Sequence, residues 1–151
     1  KESKNIIIAR TFSKAWGSAG IRVGYAVGHP EAISILHKIR PMYEVSTLAT
    51  VFVSRLLDYV NDMEVSVSKI KKGKEFFKSS LLDLGFKTLD TEGNFLHVDF
   101  GVNANKIHET LEKKVLYRAK FDHPSLSGYS RFTVAPKPVM ERVVSLIKNV
   151  V

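Results

Sequence analysis

The sequence predicts an α/β chain whose second half is a small α+β domain. Three observations carry that prediction. A short β-branched apolar run, Asn5 to Ala9, is followed by a turn rich in Ser, Thr and Gly and then by a second strand-like run, Arg22 to Gly28. Residues 61–84 hold apolar side chains at three-to-four spacing, which marks a long helix. Beyond it, short strand patterns alternate with helical ones, so helices cover one face of a small sheet.

Asn5 to Ala9 reads as a buried strand, and Thr11 to Gly20 as a turn or short helix. Arg22 to Gly28 follows as a second strand, with small residues that permit close backbone approach. Pro30 to Arg40 has a helix pattern, with Pro at its start and Ile33, Leu36 and Ile39 on one face. Pro41 breaks it. Ser46 to Val60 forms another helix, with Leu48, Val51, Phe52, Arg55, Leu56 and Tyr59 in period. The long helix, Asn61 to Leu84, carries Met63, Val67, Ile70, Phe77, Leu81 and Leu84 as one stripe and stops at Gly85.

Phe86 to Asp90 and Asn94 to Phe100 read as strands. In the second, Leu96, Val98 and Phe100 share one face while His97 and Asp99 share the other. Asn103 to Lys114 is a short helix bearing Ile107 and Leu111. Val115 to Ala119 and Ser130 to Ala135 are strands. Pro138 to Val151 is a closing helix with Met140, Val143, Val144 and Ile147 inward. A boundary is expected near Arg40 to Tyr43.

Composition narrows the function classes. A chain of 151 residues buries a real core. No apolar run approaches the roughly 20 residues of a membrane span, and no secretory or transit pattern is read at the start. The absence of cysteine excludes disulfides and thiolate metal sites. A formal charge of +8 raises the question of nucleic acid. The densest basic run, Lys69 to Lys74, sits on a helix with its lysines facing away from the apolar stripe, as a solvated face does. No nucleic-acid-binding motif accompanies it. Five scattered histidines, His29, His37, His97, His108 and His123, make no i, i+4 pair, so no metal site is expected.

The chemistry concentrates in Thr11-Phe12-Ser13-Lys14-Ala15-Trp16-Gly17-Ser18-Ala19-Gly20-Ile21-Arg22-Val23-Gly24-Tyr25. A lysine held in a turn can form a Schiff base with an aldehyde. Hydroxyls and a guanidinium nearby can hold a phosphate dianion by charge-assisted hydrogen bonds. Pyridoxal phosphate meets both requirements. Each residue also has a plainer reading. Lys14 and Arg22 could be solvated surface residues. Thr11 and Ser13 could serve only to bond the local backbone. Trp16 could be simple packing.

This stretch resembles the lysine segment of fold-type I pyridoxal-phosphate aminotransferases of class I/II, most closely the histidinol-phosphate aminotransferase group. A second block, Pro124-Ser125-Leu126-Ser127-Gly128-Tyr129-Ser130-Arg131-Phe132-Thr133-Val134, is similar to that family's G-x-x-R-x-T-x-G region, with Ala135 in place of the last glycine. Pro41 to Thr47, Gly93-Asn94-Phe95 and Tyr117-Arg118 match further blocks in the family's order.

The resemblance implies an α/β C-terminal part of such an enzyme: residues 1–42 from the end of the cofactor-binding large domain, residues 43–151 as linking helices and the small α+β domain. It implies Lys14 as the Schiff-base lysine and proton carrier, with Thr11, Ser13 and Arg22 on the cofactor phosphate. Arg131 would bind the substrate α-carboxylate and Arg118 its phosphate or distal group; Asn94, a substrate-binding candidate, could face the cofactor ring region or simply end a turn. A strand arginine at 131 could also make a structural ion pair, and residues 119–123 depart from the family pattern around Arg118. The implied reaction moves an amino group from an amino acid, glutamate, to a keto or aldehyde acceptor in amino-acid biosynthesis, in a cytoplasmic homodimer. Small amino and keto acids are the partners, without nucleic acid or membrane.

Two alternatives accompany it: a lyase similar to threonine-phosphate decarboxylase, and a basic binding module that kept the fold without chemistry. In the family, the carboxylate on the pyridine nitrogen and the aromatic stacked on the ring come from the segment before the lysine. Asp90 and Asp99 do not match those positions. The 151 residues alone are therefore expected to be inactive, with Ile6 to Ile8 and Val23 to Val27 left uncovered.

Overall fold

The computed structural model describes residues 3–151. They form two compact units, one reaching to Val65 and the other Ser66–Val151. The first unit opens with an antiparallel ribbon of β1 (Ile7–Thr11) and β2 (Gly24–Gly28), in register from Ile7 opposite Gly28 to Thr11 opposite Gly24. β1 begins at Ile7 rather than Asn5 because β2 ends at Gly28, just before Pro30, which has no N–H to extend the ladder. The apolar run alone reads as buried, but Ile7 and Ile8 remain 46% and 48% exposed, as expected of the 151 residues by themselves. Gly24 is required where it stands, since a Cβ there would lie 2.6 Å from the Arg10 carbonyl oxygen.

α1 (Pro30–Ile39) starts with Pro30 in its first turn, where a missing N–H costs nothing, and His29 accepts the Glu31 N–H. Arg40 is extended, as the residue before a proline must be. α2 (Thr47–Leu56) is capped by Ser46, whose hydroxyl accepts the Ala49 N–H at 3.1 Å. The helix expected to run to Val60 tightens into a 3-10 turn, Leu57–Tyr59.

α3 (Val60–Asp83) is the long helix. Gly85, at φ +82°, ends it. The Phe86 N–H bonds the Leu81 carbonyl and the Gly85 N–H that of Leu82, so two otherwise unpaired carbonyls of the last turn are satisfied.

In the second unit, β3 (Lys87–Leu89), β4 (Phe95–Asp99) and β5 (Tyr129–Thr133) form an antiparallel sheet in that order. Its inward side chains, Leu96, Val98 and Phe132, join a core with Phe77 and Leu81 of α3, Ile107 and Leu111 of α4 (Ala104–Leu111), and Met140, Val144 and Ile147 of α5 (Lys137–Lys148). The expected α+β arrangement is present.

The strand expected at Val115 to Ala119 is not formed. The Val115 N–H still bonds the Leu111 carbonyl at the end of α4, and the Ala119 carbonyl accepts the Ser130 hydroxyl at 2.7 Å instead of a ladder N–H. One antiparallel bridge survives, Arg118 with Arg131.

Between α3 and β4 the chain is tied down by charge. Asp90 lies 2.8 Å from Lys74 Nζ and 2.9 Å from Lys78 Nζ, and Lys74 also donates to the carbonyls of Thr91 and Gly93. Lys74, then Lys78, holds the Asp90 carboxyl well below the usual carboxylate range. A folded-state value below the unfolded one, about 3.9, makes the contribution fully present above that pH and lost as pH falls through the folded value. Asp90→Asn is expected to cost about 1 kcal/mol at pH 7 and much less at pH 1.5, where the folded-state carboxyl also begins to protonate. Urea unfolding of both proteins at the two pH values checks this; an equal cost at both would refute it.

Candidate functional site

The lysine turn belongs to the first unit. Phe12, buried, anchors it with rings at 5.8 Å (Trp16) and 6.0 Å (Tyr25). The Phe12 N–H bonds the Val23 carbonyl, and the Ser18 N–H returns to the Phe12 carbonyl, so the segment between is pinched into a loop. Gly17, at φ +63°, lets its N–H reach the Lys14 carbonyl at 3.0 Å. Lys14 stands exposed on this loop, in no ion pair among the described residues.

Thr11 closes β1, and its hydroxyl accepts the Ser13 N–H at 3.0 Å, so part of its role is local turn chemistry. Ser13 is half-buried beside it.

Arg22 corrects the expected strand: it does not begin β2. It sits at φ +60°, ψ +39° at the end of a 3-10 turn, Ala19–Ile21, and its Nη1 donates to the Ala19 carbonyl at 2.8 Å. The left-handed conformation costs a non-glycine residue about 1–2 kcal/mol and turns the guanidinium back over the lysine loop's own backbone. Such strain concentrates at ligand-holding positions.

Lys14, Ser13 and Arg22 all belong to the loop between β1 and β2, and neither cation is paired with a carboxylate of a described residue. That donor set fits a phosphorylated aldehyde: an amine for the aldehyde carbon, a hydroxyl and a guanidinium for the phosphate.

The second unit holds the remaining candidates. Arg131 lies on β5, and the N–H and carbonyl of Arg118 bond its backbone at 3.1 and 2.8 Å. On its other side Arg131 faces His97 of β4. Residues directly opposite in antiparallel pairs project to one face, so His97, Arg131 and Arg118 form a row across the outer face of the sheet. Phe121 lies over the row: Arg118 Cζ is 4.2 Å from its ring centre, Arg131 Cζ 6.0 Å, and the His97 ring 5.4 Å. Phe95 flanks Arg131 at 5.5 Å. Among the described residues neither arginine has a carboxylate within 4.0 Å, so the structural ion pair considered for Arg131 is not made there.

Burial, then the Arg131 charge, lowers the His97 pKa, so the row carries two charges near neutral pH. Asn94, half-buried, immediately precedes β4; its carbonyl accepts the Val134 N–H at 2.9 Å, and the Lys74 clamp fixes the residues before it.

The sequence reading missed His97, Phe95 and Phe121 as parts of this face. The alternation in β4 put His97 opposite the core, but its alignment with Arg131 depends on cross-strand register. Phe121 carries no periodicity signal at all.

Among the described residues, no cluster of three His, Cys, Asp or Glu side chains could hold a metal, and no helix is long and apolar enough to cross a membrane.

The family model for aminotransferases of class I and II matches residues 1–147. The chain is 33% identical over 149 residues to the histidinol-phosphate aminotransferase of Syntrophotalea carbinolica, covering 97% of this chain and 42% of that protein. It is 31% identical over 154 residues to that of Lactococcus lactis, covering 99% and 42%. The crystal structure of histidinol-phosphate aminotransferase from Sinorhizobium meliloti in complex with pyridoxal-5'-phosphate superposes with a TM-score of 0.80 at 27% identity, covering 97% of this chain and 41% of that one. That of the Clostridium acetobutylicum enzyme shares the fold at a TM-score of 0.82 and 21% identity, covering 95% and 45%. The chain spans about 42% of the length of the curated relatives it matches.

Proposed function

The chain belongs to the class I and II aminotransferase family, and from that premise we propose that it is the lysine-bearing C-terminal part of a pyridoxal-phosphate enzyme of the histidinol-phosphate aminotransferase kind. Residues 1–42 are the end of the cofactor-binding domain, and residues 43–151 the linking helices and small domain. What supports the reading is the loop between β1 and β2, which carries an amine at Lys14, a hydroxyl at Ser13 and a guanidinium on the strained backbone of Arg22, neither cation paired with a carboxylate of a described residue.

Lys14 Nζ is the attachment point for the aldehyde carbon. Its amine would also carry the proton at the substrate α-carbon. Arg22 and Ser13 hold the phosphate, with Thr11 fixing the Ser13 backbone. When bound, pyridoxal phosphate supplies the electron sink for bonds at the α-carbon. Arg131 grips the α-carboxylate through two parallel N–H groups. Arg118 takes a phosphate or the distal carboxylate of glutamate, which we propose as amino donor. Asn94 would contribute to the substrate side of the site. The enzyme works as a homodimer in the cytoplasm.

Arg22→Ala and Arg131→Ala separate the two grips in the intact enzyme. The first is expected to weaken pyridoxal-phosphate affinity by about 1.5–3 kcal/mol. The second leaves that affinity unchanged and raises the glutamate concentration needed for the first half-reaction. Cofactor titration and single-turnover kinetics read these out, and the opposite pattern would reverse the roles. Carbon dioxide release without 2-oxoglutarate formation would assign a decarboxylase instead.

A further inference from the structure

The row on the outer face of the sheet places two guanidiniums on directly opposed residues. Like charges in that arrangement repel. Arg118 is exposed, and a long side chain released to solvent gains rotamer entropy. Left to these two effects, Arg118 would swing away from Arg131. The Phe121 ring opposes both. It attracts Arg118 across 4.2 Å and reaches Arg131 at 6.0 Å, within the range of a cation–ring interaction. The two arginines are not equally dependent on it. Arg131 has a second ring, Phe95, at 5.5 Å, and for Arg118 no other ring is in range among the described residues.

Resting on the assignment of Arg131 and Arg118 as anion-binding groups, we propose that Phe121 is a specificity-determining positioning residue. Its ring fixes the separation of the two guanidiniums, so the site favours a substrate with two anionic groups over one with a single anionic group. Phe121 touches neither anion and acts through Arg118. Its loop is held independently by the bond from the Ser130 hydroxyl to the Ala119 carbonyl. Removing the ring leaves the Arg118 side chain with one long bond, from its Nε to the Lys120 carbonyl at 3.3 Å, so the guanidinium is loosened without freeing the chain.

The test compares glutarate with butyrate, titrated calorimetrically into the protein and its variants. Wild type is expected to prefer the dicarboxylate. Phe121→Leu keeps an apolar side chain but no ring; it is expected to lose about tenfold in glutarate affinity and stay within about twofold for butyrate, which Arg131 still holds. Phe121→Trp is expected to retain the preference. A cleft of about 180 Å³ beside Phe121, lined by Ala104, Asn105, His108 and Tyr129 among others, gives the larger ring room. Arg118→Ala should reproduce the Phe121→Leu pattern.

An unchanged preference in Phe121→Leu would overturn the proposal. So would equal loss of both probes in Phe121→Leu, which marks the ring as a fold element. Arg131→Ala is expected to weaken both probes. Wild-type binding of both by that variant would overturn the carboxylate reading of Arg131 itself, whatever Phe121 does.

Discussion

Gly73→Ala is expected to destabilise residues 66–151 by about 3 kcal/mol, against the usual preference of helices for alanine. In an open helix interior the same change stabilises by about 1 kcal/mol. Here Gly73 is buried on α3, and an added Cβ would collide with the Ala135 carbonyl oxygen and stand 3.0 Å from the Lys137 nitrogen. Both obstacles are backbone, so no rotamer change relieves them. Either α3 or the segment leading into α5 must move, and that segment seats Met140, Val143, Val144 and Ile147 in the core. Overpacking of this kind costs about 1–3 kcal/mol, and more where backbone must shift. Urea unfolding followed by far-ultraviolet circular dichroism measures it. The expected result is a lower midpoint at an unchanged slope. A Gly73→Ala protein as stable as wild type would show that the approach of Ala135 to α3 is not a constraint.

The second large effect is on chemistry. Lys14→Ala is expected to abolish covalent capture of pyridoxal phosphate and to slow the intact enzyme by at least about 10²–10⁴-fold, the range for loss of a positioned proton carrier. Lys14→Arg keeps the charge and should be equally inactive, because a guanidinium neither attacks an aldehyde nor gives up its proton. Borohydride reduction of the protein with pyridoxal phosphate, followed by peptide mapping, provides a readout independent of turnover. A pyridoxyl label on Lys14 is the expected result. A label elsewhere with Lys14 unmodified would end the assignment.

Much of this fold was legible because burial on one face writes a period into the sequence. The stripe along α3 and the alternation of Leu96 and Val98 are read directly from spacing, and Phe77, Leu81, Leu96 and Val98 are in the core. Gly73 was not legible as a packing residue, since a glycine within a stripe looks the same whether it faces solvent or a carbonyl. The misplaced strand at Val115 to Ala119 has a similar cause: its β-compatible side chains say nothing of Ser130, which supplies the bond that interrupts the ladder. At the candidate site, Lys14 and Arg22 stood out by residue type and spacing. The left-handed backbone of Arg22 did not, because arginine gives no hint of a positive φ. The convergence of His97, Arg131, Arg118 and Phe121 needed cross-strand register, which a sequence does not display.

The exposed ribbon of β1 and β2 bears on how firmly Lys14 is held. A two-stranded ribbon is marginally stable by itself in water, and this one presents Ile7, Ile8, Tyr25 and Val27 largely uncovered. The loop bearing Lys14 is pinched shut by bonds that start at the ribbon's end, so fraying of the ribbon loosens the loop. Covering those four side chains and ordering the lysine loop are thus linked equilibria. On the role proposed for Lys14, whatever buries the ribbon would strengthen cofactor binding, and cofactor binding would strengthen that burial by the same factor. The reactivity proposed for Lys14 would then be a property of the ribbon's surroundings as much as of the turn itself.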